Sequence, residues 1–245
     1  MRPKLFALAL FVFWLVPVLA ADYFGTPAED AWAYKRSGNP GGSPQLRTWG
    51  DGVTDIEDTW PASDSHSYGY IKWDLSGTFN TLPEGQYWQV TRATLTVWQV
   101  AGASYTKADG EMYPLLARPL ADDWHEQGFS FNPGAEPVPG SPILGAGDLS
   151  NYNQGAAFAI TINLLQYDEA AFQAFFNDVV KGNKFINFAL TSKIVGPAEF
   201  YKYSSREDAQ QYRPVLEISA TAVPEPGLLA LVGAAVIGLV LRRMR

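Results

Sequence analysis

The stretch Val90-Thr91-Arg92-Ala93-Thr94-Leu95-Thr96-Val97-Trp98-Gln99-Val100 decides the fold class. Ala93, Leu95 and Val97 fall on one side of an extended chain, and Arg92, Thr94, Thr96 and Trp98 fall on the other. This is the two-residue period of a strand buried on one face. Residues 70–75 repeat the logic, with Ile71, Trp73 and Leu75 pointing one way and Tyr70, Lys72 and Asp74 the other. Further strands are expected at 31–35, 45–49, 112–116, 157–162, 185–191, 199–204 and 215–219. Each is rich in aromatic or branched residues and is bounded by Gly, Pro, Asn or Asp. Short strands between turn clusters predict an all-β chain that packs as an antiparallel sandwich.

One segment departs from the pattern. Between Asn163 and Lys181 the residues Leu164, Leu165, Phe172, Phe175, Phe176, Val179 and Val180 recur near a helical period. Asn163 suits the N-cap and Gly182 the stop, so one helix should cover an end or a face of the sandwich. Residues 132–150 hold many Gly and Pro and read as a long irregular loop.

The two ends stand apart from the body. Arg2 and Lys4 precede an apolar run over 5–20 that finishes at Ala20-Ala21, the three parts of a secretory signal peptide. The leader is therefore expected to span 1–21, with cleavage near Ala20 or Ala21. At the other end, Val223-Pro224-Glu225-Pro226 leads into an uncharged stretch and then Arg242-Arg243-Met244-Arg245. A membrane helix is expected at about 227–241, short for a hydrocarbon core of ~30 Å, with the arginines on the cytoplasmic side. The body is then 22–222 and the tail 223–245.

Without both ends, the body carries a net charge of about −11, against −7 for the whole chain. Nucleic acid is not an expected partner, because phosphate binding needs clusters of Lys and Arg. The chain has no cysteine, so an oxidising destination would contribute no disulfide.

The tail resembles the PEP-CTERM sorting signal of bacteria that secrete exopolysaccharide, on the order and spacing of its Pro-Glu-Pro, apolar helix and arginine cluster. That resemblance implies an exosortase-type processing partner acting near the sorting motif Val223, Pro224, Glu225 and Pro226. It also implies an exported protein at the cell surface or in the extracellular matrix, held by the C-terminal helix before processing. The body is similar to the DNRLRE domain, a jelly-roll family related to carbohydrate-binding modules. The landmarks are Tyr70-Ile71-Lys72-Trp73-Asp74-Leu75-Ser76, Ala93-Thr94-Leu95, Asp123-Trp124-His125-Glu126, Tyr203-Ser204-Ser205-Arg206-Glu207 and Arg213-Pro214-Val215-Leu216. This second resemblance implies a jelly-roll sandwich and a carbohydrate ligand. Trp73 stands where that family has Phe, and the helical segment is heavier than the family's.

For chemistry, the chain offers two histidines, His66 and His125, in no metal-ligand spacing. Asp122, Asp123 and Glu126 crowd around Trp124 and His125, and the resemblance to the DNRLRE domain favours a turn that holds a buried Trp over a general-acid set. Two carboxylates far apart in sequence can still make a glycosidase, so a hydrolase or lyase stays as an alternative to the expected non-enzyme. Asp51, Asp55, Glu57 and Asp58 share one Gly-containing loop. Oxygen ligands at that density suit a structural calcium ion, although the EF-hand frame is absent and a solvated turn is favoured. No other cofactor is expected.

Sugar recognition needs flat rings and polar groups on an accessible face. Tyr70, Lys72, Arg92 and Trp98 stand on the outward sides of two strands and form the expected ligand set, unless Trp98 packs under the helix. Trp60 and Trp88 lie beside Pro or Gly loops where rings are often exposed. Arg206, Glu207 and Arg213 are expected to be architectural, an Arg with a carboxylate partner pinning the last two strands. The function expected is binding or organising extracellular polysaccharide. A matrix protein without a specific sugar site is the second reading.

Overall fold

The computed structural model describes residues 19–34, 37–39, 45–48, 67–100, 115–120, 124–126, 142–147, 157–191 and 201–225. Among them, two six-stranded antiparallel sheets pack face to face with one α-helix. The first sheet runs β1 (Ala20–Gly25), β12 (Val215–Pro224), β6 (Gln86–Gln99), β11 (Tyr201–Ser204), β4 (Gln45–Thr48), with β9 (Phe158–Asn163) on the far side of β6. The second runs β3 (Ser37–Asn39), β2 (Glu29–Tyr34), β5 (Ser67–Asp74), β10 (Phe185–Thr191), β7 (Leu116–Pro119), β8 (Gly145–Ala146).

Strand β6 is the spine of the first sheet. Ala93, Leu95 and Val97 are buried and meet Ile71, Trp73, Ile186, Phe188 and Leu190 of the second sheet across the core. An irregularity opposite Ser219/Ala220 leaves Thr91 extra, so the inward face is handed from Ala93 to Val90 and Trp88. Trp88, expected near an exposed loop, is instead 1% exposed. Its Nε1 donates to Asn80 O at 3.0 Å, and its ring meets Phe79 edge-on at 5.2 Å.

The helix, α1 (Glu169–Lys181), begins five residues later than the periodicity predicts. Asp168 is the cap, its Oδ1 accepting from Ala171 N at 2.8 Å, with Glu169 in the first turn. Asn163 ends β9 opposite Thr94, and its Oδ1 accepts from Leu165 N at 3.0 Å. Cross-strand pairing held it out of the helix. Gly182 does close the helix, its N–H donating to Asp178 O and Val179 O.

Phe172, Phe176 and Val180 enter the core, yet the polar face of α1 does as much to place it. Strand β6 has β12 on one side along 86–96, but on the other side β9 reaches only 94–99. Gln173 and Asn177, one helical turn apart, complete that edge. Gln173 accepts from Val90 N at 3.0 Å and donates to Val90 O at 2.7 Å. Asn177 accepts from Trp88 N and donates to Trp88 O, both at 2.8 Å. Each carboxamide presents one acceptor and one donor, as a neighbouring strand residue would. Asn177→Leu should cost about 2 kcal/mol, since it leaves a partly buried N–H and C=O unpaired. Urea unfolding midpoints with an unchanged m-value will measure it.

Strand pairing runs beyond residues 22–222 at both ends. β1 starts at Ala20, which pairs with Thr221, and β12 continues past 222 so that Val223 and Pro224 face Tyr87 and Gln86. Glu225 N donates to Gly85 O at 2.8 Å. Pro226, the expected membrane helix at 227–241 and the leader before Leu19 lie outside the described residues. Among the described residues no helix is long and apolar enough to cross a membrane.

Candidate functional site

Each sheet has an outer face, and the two differ in access. On the second sheet, Tyr68, Tyr70 and Lys72 of β5, Ala31 of β2, Asn187 and Ala189 of β10 and Arg118 of β7 are all buried. Trp124 and Leu120 lie over them. The Trp124 ring sits 5.8 Å from that of Tyr70, and Tyr70 meets Tyr68 edge-on at 6.4 Å. Strand β5 is thus covered on both faces from Ser67 to Trp73, where one buried face was expected.

Lys72 is the centre of this covered face. It is 1% exposed, and its Nζ donates to Trp124 O at 2.5 Å. The same nitrogen is 3.8 Å from Glu29 Oε1 and stands 4.6 Å from the centroid of the Trp124 ring. Carbonyl, carboxylate and aromatic face together compensate the charge that burial takes from water. Glu29 is gripped further by Glu126 N at 2.7 Å and His125 Nδ1 at 3.3 Å. Burial alone would raise the Glu29 pKa, but these hydrogen bonds, with Lys72 and His125 nearby, outweigh it and hold the carboxyl below its ordinary range.

A second ionic group adjoins it. Arg206, in the turn after β11, pairs with Glu126 Oε2 at 2.8 Å and Glu207 Oε1 at 2.7 Å and also donates to Ala28 O. Its own N–H donates to Asp30 Oδ2 at 2.6 Å. Arg206 and Glu207 are thus ion-paired and partly exposed, and Arg206 ties the turn to β2, to Ala28 before it and to the Trp124 segment. Arg213 stands apart, its Nε donating to Asp208 O at 3.3 Å. Asp30 is 1% exposed, and burial pushes its carboxyl up to about 8, with Glu207 and Glu126 adding to the rise. A carboxyl that stays protonated near neutrality has the acidity of a general acid. This one is buried and accepts the Arg206 N–H.

Among the described residues the outer face of the first sheet is partly to fully exposed. Across β1, β12, β6 and β9, one row reads Phe24, Glu217, Thr94, Asn163, and the next along β6 reads Val215, Thr96, Thr161. Phe24 is 74% exposed. Arg92 is 60% exposed and ion-paired to Glu217. Trp98 is partly buried, its ring edge-on to Tyr212 at 5.6 Å. The helix covers the core between the sheets, so Trp98 does not pack beneath it.

The four residues expected to form one ligand set are therefore divided. Tyr70 and Lys72 are sealed beneath Trp124 on one sheet, and Arg92 and Trp98 face outward on the other. β5 and β6 are successive strands, and the chain crosses from one sheet to the other between them. Phe24 was missed because no strand was expected before residue 31, and Tyr212 because it lies in a one-turn 3-10 segment, Gln210–Tyr212. Trp32 lies against Arg47, 5.5 Å from the ring centroid. The acidic loop with Asp51, Asp55, Glu57 and Asp58 lies outside the described residues, as do Asp122, Asp123, Trp60 and His66. Among the described residues no three His, Asp or Glu side chains are grouped to hold a metal ion. No family model matches the chain, and no curated protein matches it either.

Proposed function

We propose that this is an exported surface or matrix protein that binds or organises extracellular polysaccharide, and that the open face of the first sheet is its contact surface. The observation that carries the reading is the contrast between the two outer faces. One is roofed by Trp124; the other displays a broad strip of hydroxyls flanked by Phe24 and by the Trp98–Tyr212 pair. Hydroxyl and carboxamide groups on a flat sheet can bond sugar hydroxyls, and aromatic rings can stack on the apolar side of a pyranose. The Arg92–Glu217 pair places one donor group and one acceptor group in the same strip. Jelly-roll topology, tail processing by an exosortase and a structural calcium at the 51–58 loop belong to the same proposal and rest on the sequence resemblances and the acidic loop.

Affinity electrophoresis of the full chain in mild detergent, through gels cast with the polysaccharide of its own host, tests the reading. Retardation is expected. Trp98→Ala should weaken it roughly tenfold, the loss of about 1–2 kcal/mol for a stacking ring. Phe24→Ala should weaken it less. Mobility unaffected by the polysaccharide in the unsubstituted chain would leave a purely structural matrix role. Release of reducing ends or unsaturated sugars would make the protein an enzyme.

A further inference from the structure

The covered face of the second sheet brings three reactive groups into one row. Glu29 on β2 and Asn187 on β10 are the two cross-strand partners of Lys72 on β5. Directly opposed side chains on one face have Cβ atoms only about 4.5–5.5 Å apart. Lys72 and Asn187 are each 1% exposed. Both side chains also turn toward Phe185. The Lys72 Nζ lies 5.7 Å from that ring's centroid, and Asn187 Nδ2 donates to Phe185 O at 3.0 Å. The Trp124 ring and carbonyl close over the amine from above, and the Glu29 carboxylate is 3.8 Å from it. The amine and the carboxamide are thus shut away from bulk water, beside a carboxylate that is partly exposed.

We propose that Lys72 and Asn187 become joined by an intramolecular isopeptide bond, with Glu29 as the proton carrier. Lys72 passes a proton to the Glu29 carboxylate, and the freed Nζ attacks Asn187 Cγ. The Nζ–Cγ bond forms and the Cγ–Nδ2 bond breaks. The second amine proton goes to the departing nitrogen, which leaves as ammonia and takes the Glu29 proton to become ammonium. The carboxylate is regenerated, nothing is oxidised or reduced, and no co-reactant is needed. Aminolysis of an unactivated amide is slow in water, but fixing the partners in one geometry gives an effective concentration far above any attainable in solution. Glu29, with its side chain 25% exposed, provides the way out for ammonia. The product would staple β5 to β10 covalently in a chain that has no cysteine. The inference is independent of whether the open face binds sugar.

Peptide mapping of the full chain, denatured and digested with trypsin, reads the bond directly. The expected product is peptide 48–92, uncut after Lys72, joined to peptide 185–193, with a mass one ammonia below their sum. Glu29→Gln keeps the shape of the side chain but has no carboxylate to accept the proton. Once its circular dichroism shows that it folds, it should give separate peptides ending at Lys72 and at Lys193. Peptides that are separate in the unsubstituted chain overturn the proposal, leaving Lys72 as a non-covalent anchor for Trp124. A cross-link that survives in Glu29→Gln overturns the role of Glu29.

Discussion

Gly69→Ala is expected to destabilise the sandwich by about 3 kcal/mol or more, among the largest effects of any single methyl addition in this chain. Gly69 lies on the inward face of β5, between Trp32 of β2 and Leu190 of β10. The buried Tyr203, reaching over from β11 in the other sheet, lays its ring against the bare Cα. A Cβ there would overlap the Tyr203 hydroxyl and sit 2.8 Å from its Cζ. The ring has nowhere to retreat. Its hydroxyl is hydrogen-bonded to Thr48 Oγ1 at 2.6 Å, and that oxygen also donates to Leu190 O at 3.2 Å. Displacing Tyr203 would break its bond to Thr48, the residue whose hydroxyl reaches Leu190 in the second sheet, as well as strain the packing. The measurement is a double-mutant cycle with Tyr203→Phe in guanidinium unfolding. Part of the penalty should vanish when the hydroxyl is absent, so the two changes should not add. A Gly69→Ala variant within about 0.5 kcal/mol of the parent would show that the Gly69–Tyr203 contact is not the inter-sheet tie described here.

Stability should fall as pH rises from about 4 to about 8, the reverse of the usual behaviour of a carboxylate. Asp30 ordinarily loses its proton near 3.8, but burial between the sheets pushes that up to about 8, with the nearby charges of Glu207 and Glu126 acting in the same direction. The Arg206 N–H and the Arg206 charge pull it down but do not prevail. Between those two pH values the folded protein holds a proton that the unfolded chain has released. The contribution is therefore complete below the unfolded value and lost as pH climbs through the folded one. Each unit of separation is worth about 1.4 kcal/mol, so a fraction of it is measurable. Glu29 works in the opposite sense. Its lowered pKa gives stability that is present above its ordinary range and lost in acid. Urea midpoints from pH 4.5 to 8.5 should therefore decline for the parent. They should be nearly level for Asp30→Asn, which still accepts from the Arg206 N–H. An equal slope in both proteins would move the titrating group elsewhere.

Period-2 patterning located most strands, because a side chain on a strand faces either the core or its opposite, and hydrophobicity records which. It failed where the opposite face was also covered. The pattern of β5 reads as half-exposed because Lys72 is charged. Lys72 is buried all the same, since a carbonyl, a carboxylate and an indole ring arrive from distant positions to meet it. Trp88 was misplaced for a related reason. A residue next to a Gly turn is exposed only if nothing packs on it, and Phe79, itself backed by Phe176, does. The helix start slipped because Asn163 and Asp168 cap equally well in isolation. Pairing with Thr94 removed the first from contention.

Alternation, turn residues and the apolar stripe of α1 are local, so the sequence alone determined that this chain makes short antiparallel strands and one amphipathic helix. It determined as well that the body is acidic and without disulfides. Which outer face stays open was decided only in three dimensions, because that depends on where the Trp124 segment comes to rest. The same holds for the row Glu29, Lys72, Asn187. Its members are spread over more than half the chain and become neighbours only through the register of β2, β5 and β10. Strand register is a property of paired backbones, and one strand's sequence does not contain it.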